Sequence, residues 1–104
     1  MQVDIQKFLN LTNNKCLSCA EDLDFVPFPL NFDKYSRCRN CNKLLIVGGD
    51  FNSISHIEVD FKSSTIVLTK EGIYMFSNKT FNKLTSNNSI ETFVNLCKYY
   101  LPLL

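Results

Sequence analysis

The chain has 104 residues, 45% of them hydrophobic and 12% aromatic, with nine Phe, no Trp and only three Gly and three Pro. That is the length of one domain with enough apolar surface for a packed interior, which excludes disorder and low-complexity character. The formal net charge is +1 and no apolar run approaches the ~18 residues of a membrane span, so neither a strongly basic polyanion binder nor a spanning segment is expected.

Ile5, Phe8 and Leu9 fall on one helical face and predict a short helix over residues 3–11, stopped by Thr12-Asn13-Asn14. Leu23 to Phe28 reads as a strand that Pro29 helps to end. Lys34 to Arg37 and Leu44 to Val47 read as two more, and Gly48-Gly49-Asp50 turns the chain. Ile57, Val59 and Phe61 then alternate with His56, Glu58 and Asp60, as in a strand with one apolar and one polar face. Short turns at 62–64 and 70–72 lead to strands at 65–69 and 73–76, which makes a three-stranded meander. Residues 78–89 read as a polar segment interrupted by Phe81 and Leu84. The last element is the clearest helix, with Ile90, Phe93, Val94, Cys97, Tyr100 and Leu101 on one face and Pro102 at its end. Asn88 with Glu91 three residues on predicts a capping box.

The chemistry lies in the cysteines. Cys16-Leu17-Ser18-Cys19 and Cys38-Arg39-Asn40-Cys41 are two C-x-x-C pairs separated by 18 residues. That spacing matches a zinc pattern of two such pairs. Two intervening residues let the chain turn tightly enough for both sulfurs to face one point. Two such turns complete a tetrahedral shell of four thiolates, with no position left for water or substrate. The expected cofactor is one structural Zn²⁺ on Cys16, Cys19, Cys38 and Cys41. Iron suits the same shell, two disulfides would suit a secreted chain, and a thioredoxin-like redox pair would need a C-x-x-C at a helix start after a strand. A metal cross-link also supplements the modest core of a chain this short.

The segment from about Lys15 to Lys43 resembles a zinc ribbon of the rubredoxin-knuckle type. The resemblance covers roughly a quarter of the chain and implies metal binding without implying one function. In that family each pair sits on a hairpin turn, followed by a residue in the left-handed conformation that is usually Gly. Ala20 and Asn42 stand there in this chain. Asn accepts that conformation and Ala does so poorly, so a distorted first knuckle is expected.

The remaining candidates read as structural. Cys97 lies on the apolar stripe of the last helix, where a free cysteine is a small buried hydrophobe. His56 beside Glu58 and Asp60 reads as a solvated strand face, since no nucleophile or Gly-rich loop accompanies it. Arg37, Arg39 and Lys43, with Tyr35, surround the second knuckle in the way some ribbons touch nucleic acid. Yet residues 15–43 hold five basic and four acidic side chains, which leaves that reading second. Phe25, Phe28, Phe32 and Tyr35 either pack under the metal loop or form a contact to another protein.

The sequence thus predicts an α+β chain forming a single domain over 1–104. Its parts are an N-terminal four-cysteine zinc ribbon (about 15–43), an antiparallel β-meander (about 54–77) and a C-terminal helix (about 89–101) packed on the sheet. The expected function is that of a non-enzymatic binding or assembly module whose partner is another protein, with nucleic acid as the alternative and no membrane. Met1-Gln2-Val3-Asp4 carries an acidic residue at once and no apolar signal region, so a cytoplasmic location is expected. Lys far outnumbers Arg and Ala occurs once, the usage of an AT-rich coding sequence such as many viruses, phages and some bacteria have.

Overall fold

The alternating segments of the sequence pair with their chain neighbours, and the result is one continuous sheet. The computed structural model describes residues 3–27, 35–48 and 54–103. Its elements are α1 (Ile5–Leu11), β1 (Phe25–Pro27), β2 (Tyr35–Cys38), β3 (Leu44–Gly48), β4 (Ile54–Phe61), β5 (Ser64–Thr69), β6 (Gly72–Ser77), β7 (Thr80–Thr85) and α2 (Ile90–Tyr100), then a 3-10 turn over Leu101–Leu103. The seven strands lie in the sheet in chain order, every neighbouring pair antiparallel. The α+β class, the meander and the helix on the sheet are as expected. The meander, however, runs unbroken from β1 to β7, so the cysteine-bearing strands and the later hairpins share one sheet.

Directly opposed residues in an antiparallel pair point to the same face. The register Leu44↔Val59, Ile46↔Ile57, Val59↔Ile66 and Ile57↔Leu68, with Leu68↔Ile73 beyond, therefore builds one apolar face. All of these residues are buried, and they form a single core cluster with Ile5 and Phe8 of α1 and Ile90, Phe93, Val94 and Cys97 of α2. Both helices thus lie on the same face of the sheet. Phe8 and Phe93 meet at the centre with ring centroids 6.3 Å apart, and Lys7 pairs with Glu91 at 2.8 Å on the rim. Among the described residues no buried side-chain nitrogen or oxygen lacks a hydrogen-bond partner.

Three local expectations are corrected. The helix predicted over 3–11 begins at Ile5: Asp4 is its N-cap, accepting from the Lys7 N–H, while Val3 bridges to Ile54 in the sheet. Residues 80–85, read as part of a polar segment, are strand β7. A two-residue turn with both Asn78 (φ +51°) and Lys79 (φ +64°) in the left-handed region carries β6 back into it. That conformation gives a hairpin the twist of its strands, but Lys at the second position is an uncommon signal for it. Being at the sheet edge, β7 also lacks the strict alternation of a half-buried strand. The α2 cap is Ser89, one residue later than Asn88. Its hydroxyl accepts from the Thr92 N–H at 3.2 Å and donates to Thr92 Oγ1 at 2.8 Å. Thr92 therefore takes the place expected for Glu91, which turns to Lys7, and Asn88 donates to the Lys70 carbonyl at 2.7 Å.

A bulge between Ile73 and Tyr74 separates β6 and β7 locally. Gly72 enters it with φ +138°, and a side chain there would run into the Thr85 carbonyl. Phe28, Phe32, Gly49 and Asp50 lie outside the described residues, and Phe25 and Tyr35 take places in β1 and β2.

Candidate metal centre

The first C-x-x-C pair sits on a small hairpin of its own. Lys15 bridges to Asp22, the Cys16 N–H donates to the Glu21 carbonyl at 2.9 Å, and Leu23 N–H reaches back to Asn14 at 2.8 Å. The second pair is the turn from β2 to β3, with Cys38 the last residue of β2 and Leu44 the first of β3. The pairing Phe25↔Cys38 and the Arg39 N–H to Asp24 carbonyl bond (3.2 Å) draw the two turns together.

The two turns are built alike. The Ala20 N–H donates to the Cys16 carbonyl at 2.8 Å and the Asn42 N–H to the Cys38 carbonyl at 3.0 Å. Ala20 and Asn42 stand at φ +64° and +60°. The expected distortion of the first knuckle is therefore absent: Ala20 adopts the strained conformation, and the closed hairpin around it supplies the compensating bonds. A left-handed Ala costs about 1–2 kcal/mol, so Ala20→Gly is expected to raise the thermal midpoint of the metal-loaded protein. After the greater chain entropy of Gly, the net gain is about 0.5–1 kcal/mol, or some 2–8 °C. Asn42→Gly serves as the control with a smaller shift.

The four sulfurs of Cys16, Cys19, Cys38 and Cys41 all lie within 4.8 Å of one another. Cys16 to Cys41 is 3.7 Å and Cys19 to Cys38 is 3.9 Å. A tetrahedral zinc site with Zn–S near ~2.3 Å places its sulfurs about 3.8 Å apart. The donor set, number and spacing thus fit one tetrahedral thiophilic cation. They do not fit two disulfides, since all five cysteines are free. Neither pair begins a helix, so the redox-motif setting is not present either.

Cys16 and Cys38 are buried in the core cluster, and Cys19 and Cys41 are half-buried at its rim. The Ser18 N–H points at Cys16 Sγ and the Lys43 N–H at Cys41 Sγ, both at 3.4 Å. Burial pushes the Cys16 thiol well above its ordinary value, against the N–H donation from its own turn, and pushes Cys19 up as well. Burial acts on Cys41 in the same sense, but the Lys43 N–H and the neighbouring thiols outweigh it, and that thiol is lowered. A coordinated cation holds such thiols ionised outright. Cys97 is 1% exposed in α2 and its thiol is pushed up by burial alone, as a core residue.

The two arginines beside the second knuckle are engaged within the chain. Arg39 pairs with Asp24 at 3.3 Å, and Arg37 donates to the Asn42 carbonyl at 2.5 Å. His56 Nε2 lies 3.1 Å from Glu58 Oε1 on β4, both about one-third exposed, and Asp60 accepts from the Thr65 hydroxyl.

Sequence reasoning missed the residues of the outer sheet face. Tyr74 and Phe81 stack at 4.9 Å with their planes 13° apart, Phe76 meets Phe81 at 6.4 Å, and Lys83 Nζ stands 5.9 Å from the Tyr74 ring centre. Only the reading of 80–85 as a strand would have placed Phe81 there. Among the described residues no helix is long and apolar enough to cross a membrane. Comparison with family models, with curated proteins and with solved structures finds no match for this chain.

Proposed function

We propose that Cys16, Cys19, Cys38 and Cys41 hold one structural zinc ion in a zinc-ribbon-like centre, and that the chain is a non-enzymatic binding or assembly module contacting another protein. The observation that carries the reading is the mutual spacing of the four sulfurs, all within 4.8 Å. Four thiolates complete a tetrahedral shell, so the ion they hold has no free position at which to activate water or bind substrate. Its role is then to tie the first hairpin to the β2–β3 turn. Support for a protein partner comes from the C-terminal end of the chain. Tyr99, Leu101 and Leu103 are 64%, 41% and 67% exposed there, a concentration of apolar side chains in solvent. The lysine-rich, alanine-poor composition supports a viral or phage source, and the cytoplasm is the proposed location.

Metal analysis of the purified protein tests the first part. The expected result is a colourless protein that releases one zinc per chain on thiol modification; a coloured protein with stoichiometric iron replaces zinc by iron. For the second part, Leu101→Asp with Leu103→Asp is expected to abolish retention of the partner by the immobilised protein, with the melting curve unchanged. The alternative, nucleic-acid binding by the second knuckle, predicts retention on a polyanion column that Arg37→Glu with Arg39→Glu removes. It ranks second because both arginines already hold partners within the chain.

A further inference from the structure

Among the described residues no helix covers the second face of the later hairpins, and that face carries an aromatic array. The register Val67↔Tyr74, Thr65↔Phe76, Tyr74↔Lys83 and Phe76↔Phe81 puts Tyr74, Phe76, Phe81 and Lys83 on the face opposite the core. Phe76 is 46% and Phe81 59% exposed. Burying either ring would gain free energy, and both core helices lie on the other side of the sheet. Tyr74 and Phe81 already stack in nearly parallel planes and Phe76 tilts against Phe81, so the three form a contiguous aromatic cluster and not isolated rings.

The charge around this platform differs from that of the chain as a whole. Residues 62–89 contain four lysines (Lys62, Lys70, Lys79 and Lys83) and one acid (Glu71), a net of +3 within a chain of net +1. Lys62 and Lys79 lie in the turns at one end of β5 and β6, and Lys83 lies on β7 beside the rings. Of the acids, Glu71 lies in the β5–β6 turn beside Gly72, toward which the Lys83 side chain runs, and Glu58 and Asp60 lie on the same face of β4, two strands from β6 and three from β7. At a strand spacing of about 4.8 Å Glu58 and Asp60 are about 10 Å from the β6 rings and about 14 Å from Phe81 and Lys83, in each case beyond the ~8 Å Debye length at physiological salt.

We infer that the outer face of β6 and β7 binds single-stranded nucleic acid, its bases stacking on Phe81, Phe76 and Tyr74 and its phosphates lying along Lys83, Lys79 and Lys62. Aromatic platforms flanked by cations bind single strands with little sequence preference, because every base offers a π-face. This site is separate from the metal centre and from the arginines of the second knuckle. The same lysines oppose the other apolar occupant of a sheet edge, a second copy of the chain. Antiparallel pairing of β7 with itself would bring Lys83 and Lys79 of both copies together.

The test uses the metal-loaded full chain with fluorescein-labelled oligothymidylate and oligouridylate of about ten nucleotides, followed by anisotropy. The expected result is binding of both that weakens about 20- to 50-fold when salt rises about fourfold, as for neutralisation of three or four phosphates on a single strand. Phe81→Ala is expected to lower affinity about tenfold or more, Phe81→Tyr to restore it, and Lys83→Glu to weaken binding and flatten the salt dependence. Phe81 is a surface residue, and unchanged melting curves confirm that the variants fold. Absence of binding, binding indifferent to salt, or binding that survives Phe81→Ala combined with Phe76→Ala would each overturn the inference. So would a dimer, detected by sedimentation, that Phe81→Ala dissociates while no oligonucleotide binds; the face would then belong to a second copy.

Discussion

Cys38→Ser is expected to leave the protein unfolded or insoluble, and Cys16→Ser to do the same. Cys38 is fully buried and Cys16 is 2% exposed, and both sulfurs sit at the junction between the metal centre and the core cluster. Coordination in such centres supplies on the order of 10 kcal/mol of folding free energy. The whole stability of a domain this size is about 5–15 kcal/mol, so loss of the ion removes most or all of it. Serine compounds the loss, because its hydroxyl is a poor ligand for a soft cation and is buried without a partner. The measurement is a pair of circular-dichroism melts with metal analysis on each variant. Cys97→Ala is the control: it deletes a buried thiol from α2 without touching the four-sulfur group, and is expected to keep the full metal content and lose about 1 kcal/mol. A Cys38→Ser protein that melts like the parent would show that the four sulfurs do not jointly hold an ion.

Phe93→Ala is expected to cost about 3–5 kcal/mol, a fall in thermal midpoint of roughly 12–40 °C for a chain of this length. Phe93 is fully buried on α2 and meets Phe8 of α1 across the top of the sheet. Removing its ring opens a cavity that neither helix can fill without moving, because Ile90, Val94 and Cys97 already occupy the neighbouring positions of the same stripe. The four-sulfur group lies elsewhere in the core, so the metal content per folded chain is expected to be unchanged. Phe93→Leu keeps most of the volume and is expected to lose much less. If Phe93→Ala changed stability by under about 1 kcal/mol, α2 would not be packed on the sheet through this residue.

The elements of this fold differ in how plainly the chain announces them. The cysteine pairs are legible because each C-x-x-C is a local device whose geometry follows from two intervening residues. β4 and α2 are legible because eight and eleven residues of regular period leave little doubt which side is apolar. β7 was hidden for the opposite reason. At the edge, Thr80, Phe81, Asn82 and Lys83 are all exposed, so burial imposes no alternation on the residues that form the strand. The strand exists because β6 offers it a row of backbone partners, and that is a property of the neighbour. The Asn88/Ser89 cap shows the same limit at one-residue scale. Both side chains suit an N-cap, and the choice follows from where α2 docks: the Lys70 carbonyl takes Asn88 and leaves Ser89 to close the helix.

Residue identity and spacing alone determined the thiol donors, the apolar stripe of α2 and the alternation of β4, because each is a relation between residues a few positions apart. Tertiary structure decided that the knuckles and the later hairpins share one sheet. It decided that the four sulfurs converge to within 4.8 Å, and that Tyr74, Phe76 and Phe81 are left on the uncovered side. These are relations between segments distant in the chain. They depend on which face the helices take: both described helices pack on the face opposite Phe76 and Phe81, which leaves those two rings exposed.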